Sequence, residues 1–117
     1  MILAWPDPIL SPNARTHWAP QARAKKKARE DAAWETIRQV PLEARQRLAE
    51  GNGHIPMRIT FIPPDKRRRD RDNMIASLKA ASDGIADGLK VNDARFVPTY
   101  MVAPPEKPGF VVVEFGA

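Results

Sequence analysis

The sequence predicts a single α+β domain, and three observations carry that expectation. Residues 55–62, Ile-Pro-Met-Arg-Ile-Thr-Phe-Ile, place Met57, Ile59 and Phe61 on one face and Arg58 and Thr60 on the other. That period of two is the signature of a half-buried strand. Residues 73–89 instead put Ile75, Leu78, Ile85 and Leu89 on one side at about 100° per residue, the period of a helix. Two more apolar runs, 95–102 and 110–115, close the chain. One domain is the simplest reading of 117 residues, a length sufficient for a modest core.

In chain order, residues 2–5 form a short strand closed by Pro6 and Pro8, and Ser11-Pro12-Asn13 is turn chemistry. Residues 14–18 lead into a helix over about 21–38, with Pro20 tolerated in its first turn. Its expected buried face holds Ala22, the Arg29 stem, Ala33 and Ile37, with Trp34 nearby. Pro41 begins a second helix, 42–50, which Gly51-Asn52-Gly53 ends. Pro63-Pro64 stops the strand over 55–62. The helix over 73–89 is expected to be capped by Asp72 or Asn73. Gly84 in its middle costs ~1 kcal/mol relative to alanine, which implies a close packing contact. Residues 91–94 form a turn. Pro98 lacks an amide hydrogen, so the run over 95–102 is an edge strand or is interrupted there. The short loop over 103–109 predicts an antiparallel hairpin with 110–115.

Composition narrows the partner. The absence of cysteine excludes disulfides, thiolate zinc sites and a cysteine nucleophile, and fits a reducing cytoplasm. No apolar run approaches the roughly 20 residues of a membrane span, and the opening five residues are too short for a signal-peptide core. Net charge is +5. Eleven of the nineteen Lys and Arg residues fall in two blocks. Arg15, Arg23, Lys25, Lys26, Lys27 and Arg29 form the first, and Lys66, Arg67, Arg68, Arg69 and Arg71 the second. The first block is interleaved mostly with alanine rather than large apolar residues, so nucleic acid fits it better than a membrane surface.

The second block encloses Asp70 and Asp72. If that stretch is extended, side chains two apart point the same way and both carboxylates converge on one divalent cation, with cations beside them to hold a polyanion. The alternative is ordinary: Asp70 pairs with neighbouring arginines in a turn and Asp72 caps the following helix. Asp93 is a third candidate ligand, returned to the same end of the sheet by a strand–helix–turn path. Three oxygen donors completed by water suit Mg²⁺ or Mn²⁺ rather than zinc.

Asp83 and Asp87, spaced i, i+4, either join the site or have ordinary partners, Asp83 in Lys79 and Asp87 in Lys90 or solvent. Lys79 is either a surface lysine or a group that neutralises charge on a scissile phosphate. His17 is either a general base or a structural or phosphate-contacting group, and His54 is a loop residue. There is no Gly-x-Ser-x-Gly turn and no glycine-rich phosphate loop, which argues against covalent catalysis and a nucleotide cofactor. Trp5, Trp18 and Trp34 either stack on bases or fill the core.

Three segments together, Ser11 to Trp18, Pro63-Pro64-Asp65 with Arg67 to Asn73, and Lys79 to Asp93, resemble the RusA family of Holliday junction resolvases. The resemblance implies a small Mg²⁺-dependent endodeoxyribonuclease, a mixed sheet with two main helices, and a homodimer that nicks four-way junctions symmetrically. It assigns Asp70, Asp72 and Asp93 to the acidic site. Family members often carry two acids in the last turn, where this chain has Asn92 before Asp93. The catalytic-site lysine of the family can fall where this chain has Ala76, which leaves Lys79 as the candidate. Expected products are a 5′-phosphate and a 3′-hydroxyl, and Arg15, Arg67, Arg68, Arg69 and the Lys25–Arg29 block would position the DNA.

Overall fold

The computed structural model describes residues 1–15 and 17–116, so Thr16 of the Ser11–Trp18 motif lies outside the described residues. Strand β1 (Ile2–Ala4) is followed by a single 3-10 turn (Pro8–Leu10), then helices α1 (Trp18–Gln39) and α2 (Leu42–Glu50). Strand β2 (Ile55–Ile62) precedes α3 (Arg71–Ser77) and α4 (Lys79–Leu89). A second 3-10 turn (Asp93–Arg95) leads into β3 (Phe96–Val102), and β4 (Phe110–Phe115) ends the described chain. The fold is α+β, with one mixed sheet in the order β1-β4-β2-β3 and its two main helices, α1 and α4, packed together.

β2 fulfils its pattern: Ile55, Met57, Ile59 and Phe61 are buried, while Arg58 is exposed. Those side chains meet Leu3, Val111 and Val113 from the sheet and Ala32, Met74, Leu78, Ile85 and Leu89 from the helices, which form one core. No helix is long and apolar enough to cross a membrane among the described residues.

The expected hairpin does not form. β3 runs parallel to β2, pairing Ile55 with Phe96 and Phe61 with Val102, while β4 inserts between β1 and β2, antiparallel to both. The unbroken run Phe110-Val111-Val112-Val113 suits an interior strand. β3, interrupted for hydrogen bonding at Pro98, takes the edge. The 103–109 loop therefore crosses the end of β2. Ala103 donates to the Phe61 carbonyl at 2.9 Å and Glu106 to that of Pro63 at 2.8 Å. Gly109, at φ +84, lets the loop lie against Pro64, where a Cβ would come within 2.8 Å of the ring.

α1 also buries a different face from the one expected. Ala32 and Thr36 are buried, whereas Ala22, Arg29, Trp34 and Ile37 are exposed. The cause is α4: Gly84 and Gly88 form a shallow groove, and only small side chains on α1 let the two backbones approach. A Cβ on Gly84 would lie 2.1 Å from the Arg29 carbonyl oxygen, and one on Gly88 would lie 2.8 Å from Thr36 Cβ. The Thr36 hydroxyl, buried in this contact, donates to the Ala32 carbonyl at 2.7 Å.

The open edge of β1 is closed by a side chain. Gln39 Oε1 accepts from the Ile2 amide at 2.7 Å and its Nε2 donates to the Ile2 carbonyl at 2.7 Å, as a neighbouring strand would.

The helix expected over 73–89 is two helices. α3 begins at Arg71, and Leu78 separates it from α4. The cap is Asp70 rather than Asp72 or Asn73: its Oδ1 accepts from the Asp72 amide at 2.9 Å. Asp72 instead occupies the first turn, where a carboxylate favours the positive end of the helix dipole.

Candidate nucleic-acid interface

Pro63-Pro64 launches the basic segment from the end of β2, and Asp65 organises it. Asp65 Oδ1 accepts from the Arg67 amide at 2.9 Å and from Arg69 Nη2 at 2.9 Å. Arg69 also donates to the Asp65 and Arg67 carbonyls, and its guanidinium carbon lies 5.5 Å from the centroid of the Trp5 ring. With its side chain only 18% exposed, Arg69 is a brace that folds the segment against Trp5. The Arg67 amide bond and the arginines hold the Asp65 carboxyl below the usual carboxylate range. The sequence carried a signal for Asp65 in its Asx-turn spacing, two residues before Arg67 and four before Arg69.

Around this brace, Lys66, Arg67, Arg68 and Arg71 are exposed. Arg67 reaches Asp65 only at 3.5 Å, and among the described residues Lys66, Arg68 and Arg71 make no ion pair. In sequence they flank Asp70 and Asp72, both exposed. Because α3 starts at Arg71, the extended geometry that would point these two carboxylates the same way is replaced by a helix cap.

A second group sits on α4. Lys79 Nζ donates to Asp83 Oδ1 at 2.7 Å and to Asp93 Oδ2 at 3.2 Å. Asp83, followed by Asp93, raises the Lys79 pKa above its ordinary value, and Lys79 in turn lowers that of Asp93. Asp87 is bound by Arg29 of α1 through two bonds of 2.6 and 2.9 Å, rather than by Lys90 or solvent. That pair lowers the Asp87 pKa and raises that of Arg29.

Asp93 does not return to the end of the sheet that carries Asp70 and Asp72. Since β3 is parallel to β2, the turn before β3 lies where β2 begins, and the basic segment leaves where β2 ends. Arg95 fixes that turn by donating to the Gly53 and Leu48 carbonyls at 2.8 and 2.9 Å. Among the described residues, no three His, Asp or Glu side chains form a group able to hold a metal ion.

A groove borders the second group. Lys25, Lys26 and Arg29 on α1 face Lys79, Asp83 and Tyr100 across it, and the Pro8–Leu10 turn with Ser11 and Pro12 closes one side. Ser11 and Ser77 also line the adjoining depression that holds Asp70, Asn73 and the Arg67–Arg69 segment. The Ser11 turn thus stands between the basic segment and the α1 lysines. Not every predicted cation is available: Lys27 pairs with Asp31, Arg29 with Asp87 and Arg69 with Asp65. Arg15 and His17 are exposed just before α1, and Arg23 is exposed within it. Trp5 packs edge-on against Phe61, with ring centroids 6.1 Å apart, whereas Trp18 and Trp34 are 80% and 72% exposed.

The chain matches no protein-family model. It is similar to an uncharacterized protein of Xylella fastidiosa (strain Temecula1 / ATCC 700964), with 38% identity over 104 residues, covering 83% of this chain. The chain spans 61% of the length of that relative.

Proposed function

We propose that this chain is a structure-selective endodeoxyribonuclease of the RusA resolvase type, acting in the cytoplasm on branched DNA and on four-way junctions above all. The observation that supports this reading best is a pair of adjoining depressions that share Ser11 and Ser77, one lined by Lys25, Lys26, Arg29, Lys79 and Asp83 and the other by Arg67, Arg68, Arg69 and Asp70. Lys66, Arg68 and Arg71 take phosphates beside Asp70 and Asp72, while Lys25 and Lys26 take those of a second arm. Spread cations that neutralise backbone phosphates give affinity for DNA shape rather than sequence.

Mg²⁺, or Mn²⁺ in its place, is the cofactor this reading requires. Asp70 and Asp72 offer the hard oxygen donors it prefers, and Mg²⁺ commonly takes one or two carboxylates together with substrate phosphate and water. Asp93, held by Lys79 of α4, is outside that pair. When bound, the ion supplies an activated water and offsets charge on the phosphate. The protein's own part is to hold the phosphates in register and to exclude free rotation of the arms. Lys79, poised between two carboxylates, supplies a movable positive charge to the groove.

The alternative is a DNA-binding module without catalysis, and one observation favours it: Asp70 caps α3 and Asp93 neutralises Lys79, so both acids already have structural partners. A labelled four-way junction and a matched linear duplex, each with Mg²⁺ or EDTA, separate the readings. Paired symmetric nicks in the junction, dependent on metal, are expected of the wild type. Asp70→Asn should bind the junction without cutting it, since Asn caps a helix as well as Asp does. Binding without nicks under every metal condition would leave the module.

A further inference from the structure

Helix α1 overhangs the helix it packs on. Gly84 of α4 lies against Arg29 and Ala32, and Gly88 against Ala33 and Thr36, so the two helices run side by side in the same direction. α4 begins at Lys79, which at equal rise per residue is level with about residue 24 of α1. Trp18 to Arg23 therefore extend past the start of α4. At about 100° per residue, Trp18 shares one stripe of α1 with Ala22, Lys25, Arg29, Ala32 and Thr36. Farther along the helix that stripe is the packing face, where Ala32 and Thr36 are buried. At Trp18 the stripe has run beyond its partner, and the indole is 80% exposed. Among the described residues no aromatic ring stacks on Trp18 and no cation sits over it.

The charge around this uncovered ring has one sign. Residues 8–29 contain six Lys or Arg and no Asp or Glu, which suits a polyanion. Lys25 and Lys26, two turns along from Trp18, are exposed and make no ion pair among the described residues. They rim the groove whose apolar lining includes Ile9, Leu10, Ile75 and Tyr100. Trp34 on the same helix is also exposed, but its setting differs. Asp31 and Glu35 stand within a turn of it, paired with Lys27 and Arg38. One helix thus presents two exposed tryptophans, and only Trp18 stands among uncommitted cations.

A free aromatic face beside such cations fits a ligand with flat rings on a polyanionic backbone. In duplex DNA the faces of each base are already stacked on their neighbours, so the indole finds a partner only where a base is unpaired. We infer that Trp18 is a stacking platform for an unpaired base of single-stranded DNA, with Lys25 and Lys26 holding phosphates of the same strand ~10 Å along the helix. This rests on the DNA reading of the groove and narrows the substrate to branched DNA that carries or opens an unpaired base: a flap, a gap or a melted branch point.

The test measures binding of a short labelled oligothymidylate in EDTA, so no cutting enters the result. The wild type should bind it with quenching of tryptophan fluorescence. Trp18→Ala should weaken binding about tenfold, the loss of one base stack, while Trp34→Ala should bind as the wild type does. Trp18→Phe keeps a ring and should retain most of the affinity while losing most of the quench. On an abasic strand of equal length, which keeps the phosphates and lacks the bases, wild type and Trp18→Ala should bind alike. Equal affinity of wild type and Trp18→Ala for oligothymidylate, an equal loss on the abasic strand, or a wild type that binds no oligothymidylate would overturn the inference. Should the alanine variant fail to melt cooperatively, Trp18→Phe decides, and a quench as strong as that of the wild type would overturn the inference equally. Junction cleavage with Mg²⁺ is a separate result. A protein that cuts junctions but binds oligothymidylate without need of Trp18 loses the stack and keeps the nuclease, and one that stacks without cutting keeps this site on a DNA-binding module.

Discussion

Gly84→Ala tests whether the α1–α4 contact organises the molecule. Two opposing effects are set against each other by one methyl group. In an exposed helix the change would stabilise by up to about 1 kcal/mol, because alanine is the better helix former. Here the added Cβ would lie 2.1 Å from the Arg29 carbonyl oxygen and 2.9 Å from its carbon, with Ala32 Cβ at 3.0 Å. Relief to ordinary contact near 3.4 Å requires the helices to part by about 1.3 Å. The obstacle is backbone, which cannot rotate away as a side chain can. Overpacking of this kind costs about 1–3 kcal/mol and occasionally more, so the clash outweighs the propensity gain. Net destabilisation of about 1–2 kcal/mol is expected, a fall in Tm of about 4–8 °C for a domain of this size. Parting the helices also shifts Lys25 and Lys26 relative to Lys79, so junction affinity should fall although no groove residue is changed. Thermal melts by circular dichroism, with Gly53→Ala as the control, read the first effect. At Gly53 an added Cβ meets nothing within 4 Å, and no comparable loss is expected there. A Gly84→Ala protein as stable as the wild type would refute the reasoning.

Three further outcomes are expected. Arg69→Ala should lower stability by about 1–2 kcal/mol through loss of its bonds to Asp65 and its contact with Trp5, whereas Arg68→Ala should leave the melt unchanged and reduce the salt slope of DNA binding by about 1. Equal melting curves for the two variants would contradict the brace assigned to Arg69. Asp70→Ala should destabilise by about 1 kcal/mol beyond Asp70→Asn, since only alanine removes the cap, and parallel denaturant titrations measure the difference. Asp93 has a folded pKa depressed by Lys79, so its contribution to stability is present above the ordinary carboxylate value of 3.8 and is lost as pH falls through the lower folded value. Lys79→Met should move the Asp93 titration, followed by NMR of its carboxyl carbon, back up toward that value. A titration unchanged by the substitution would show that the ion pair does not hold Asp93 in solution.

Local chemistry made several elements legible from the chain alone. Period-two alternation exposed β2, Gly51 after Leu42–Glu50 marked the end of α2, and Pro98 marked β3 as an edge, because each signal depends on neighbours in sequence. Gly84 inside a helix pattern pointed to close packing for the same reason, since its cost has to be offset by a contact. The basic segment and its acids were likewise visible as a motif. Which face of α1 is buried was not, because the glycine groove of α4 selected Ala32 and Thr36 over the larger Ile37 and Trp34. The strand order also depended on competition between distant segments: β4, the more continuously apolar run, took the interior position and left β3 outside.

That choice decided the site. A parallel β3 puts Asp93 where β2 begins, and the helical start at Arg71 turns Asp70 into a cap, so the acids divide between two separate places. The sequence determined which chemical groups are present and how each lies relative to its near neighbours. Only the tertiary structure decided which of them meet, because meeting depends on strand order, helix approach and burial, and these are set by the free energy of the whole core rather than by any local stretch.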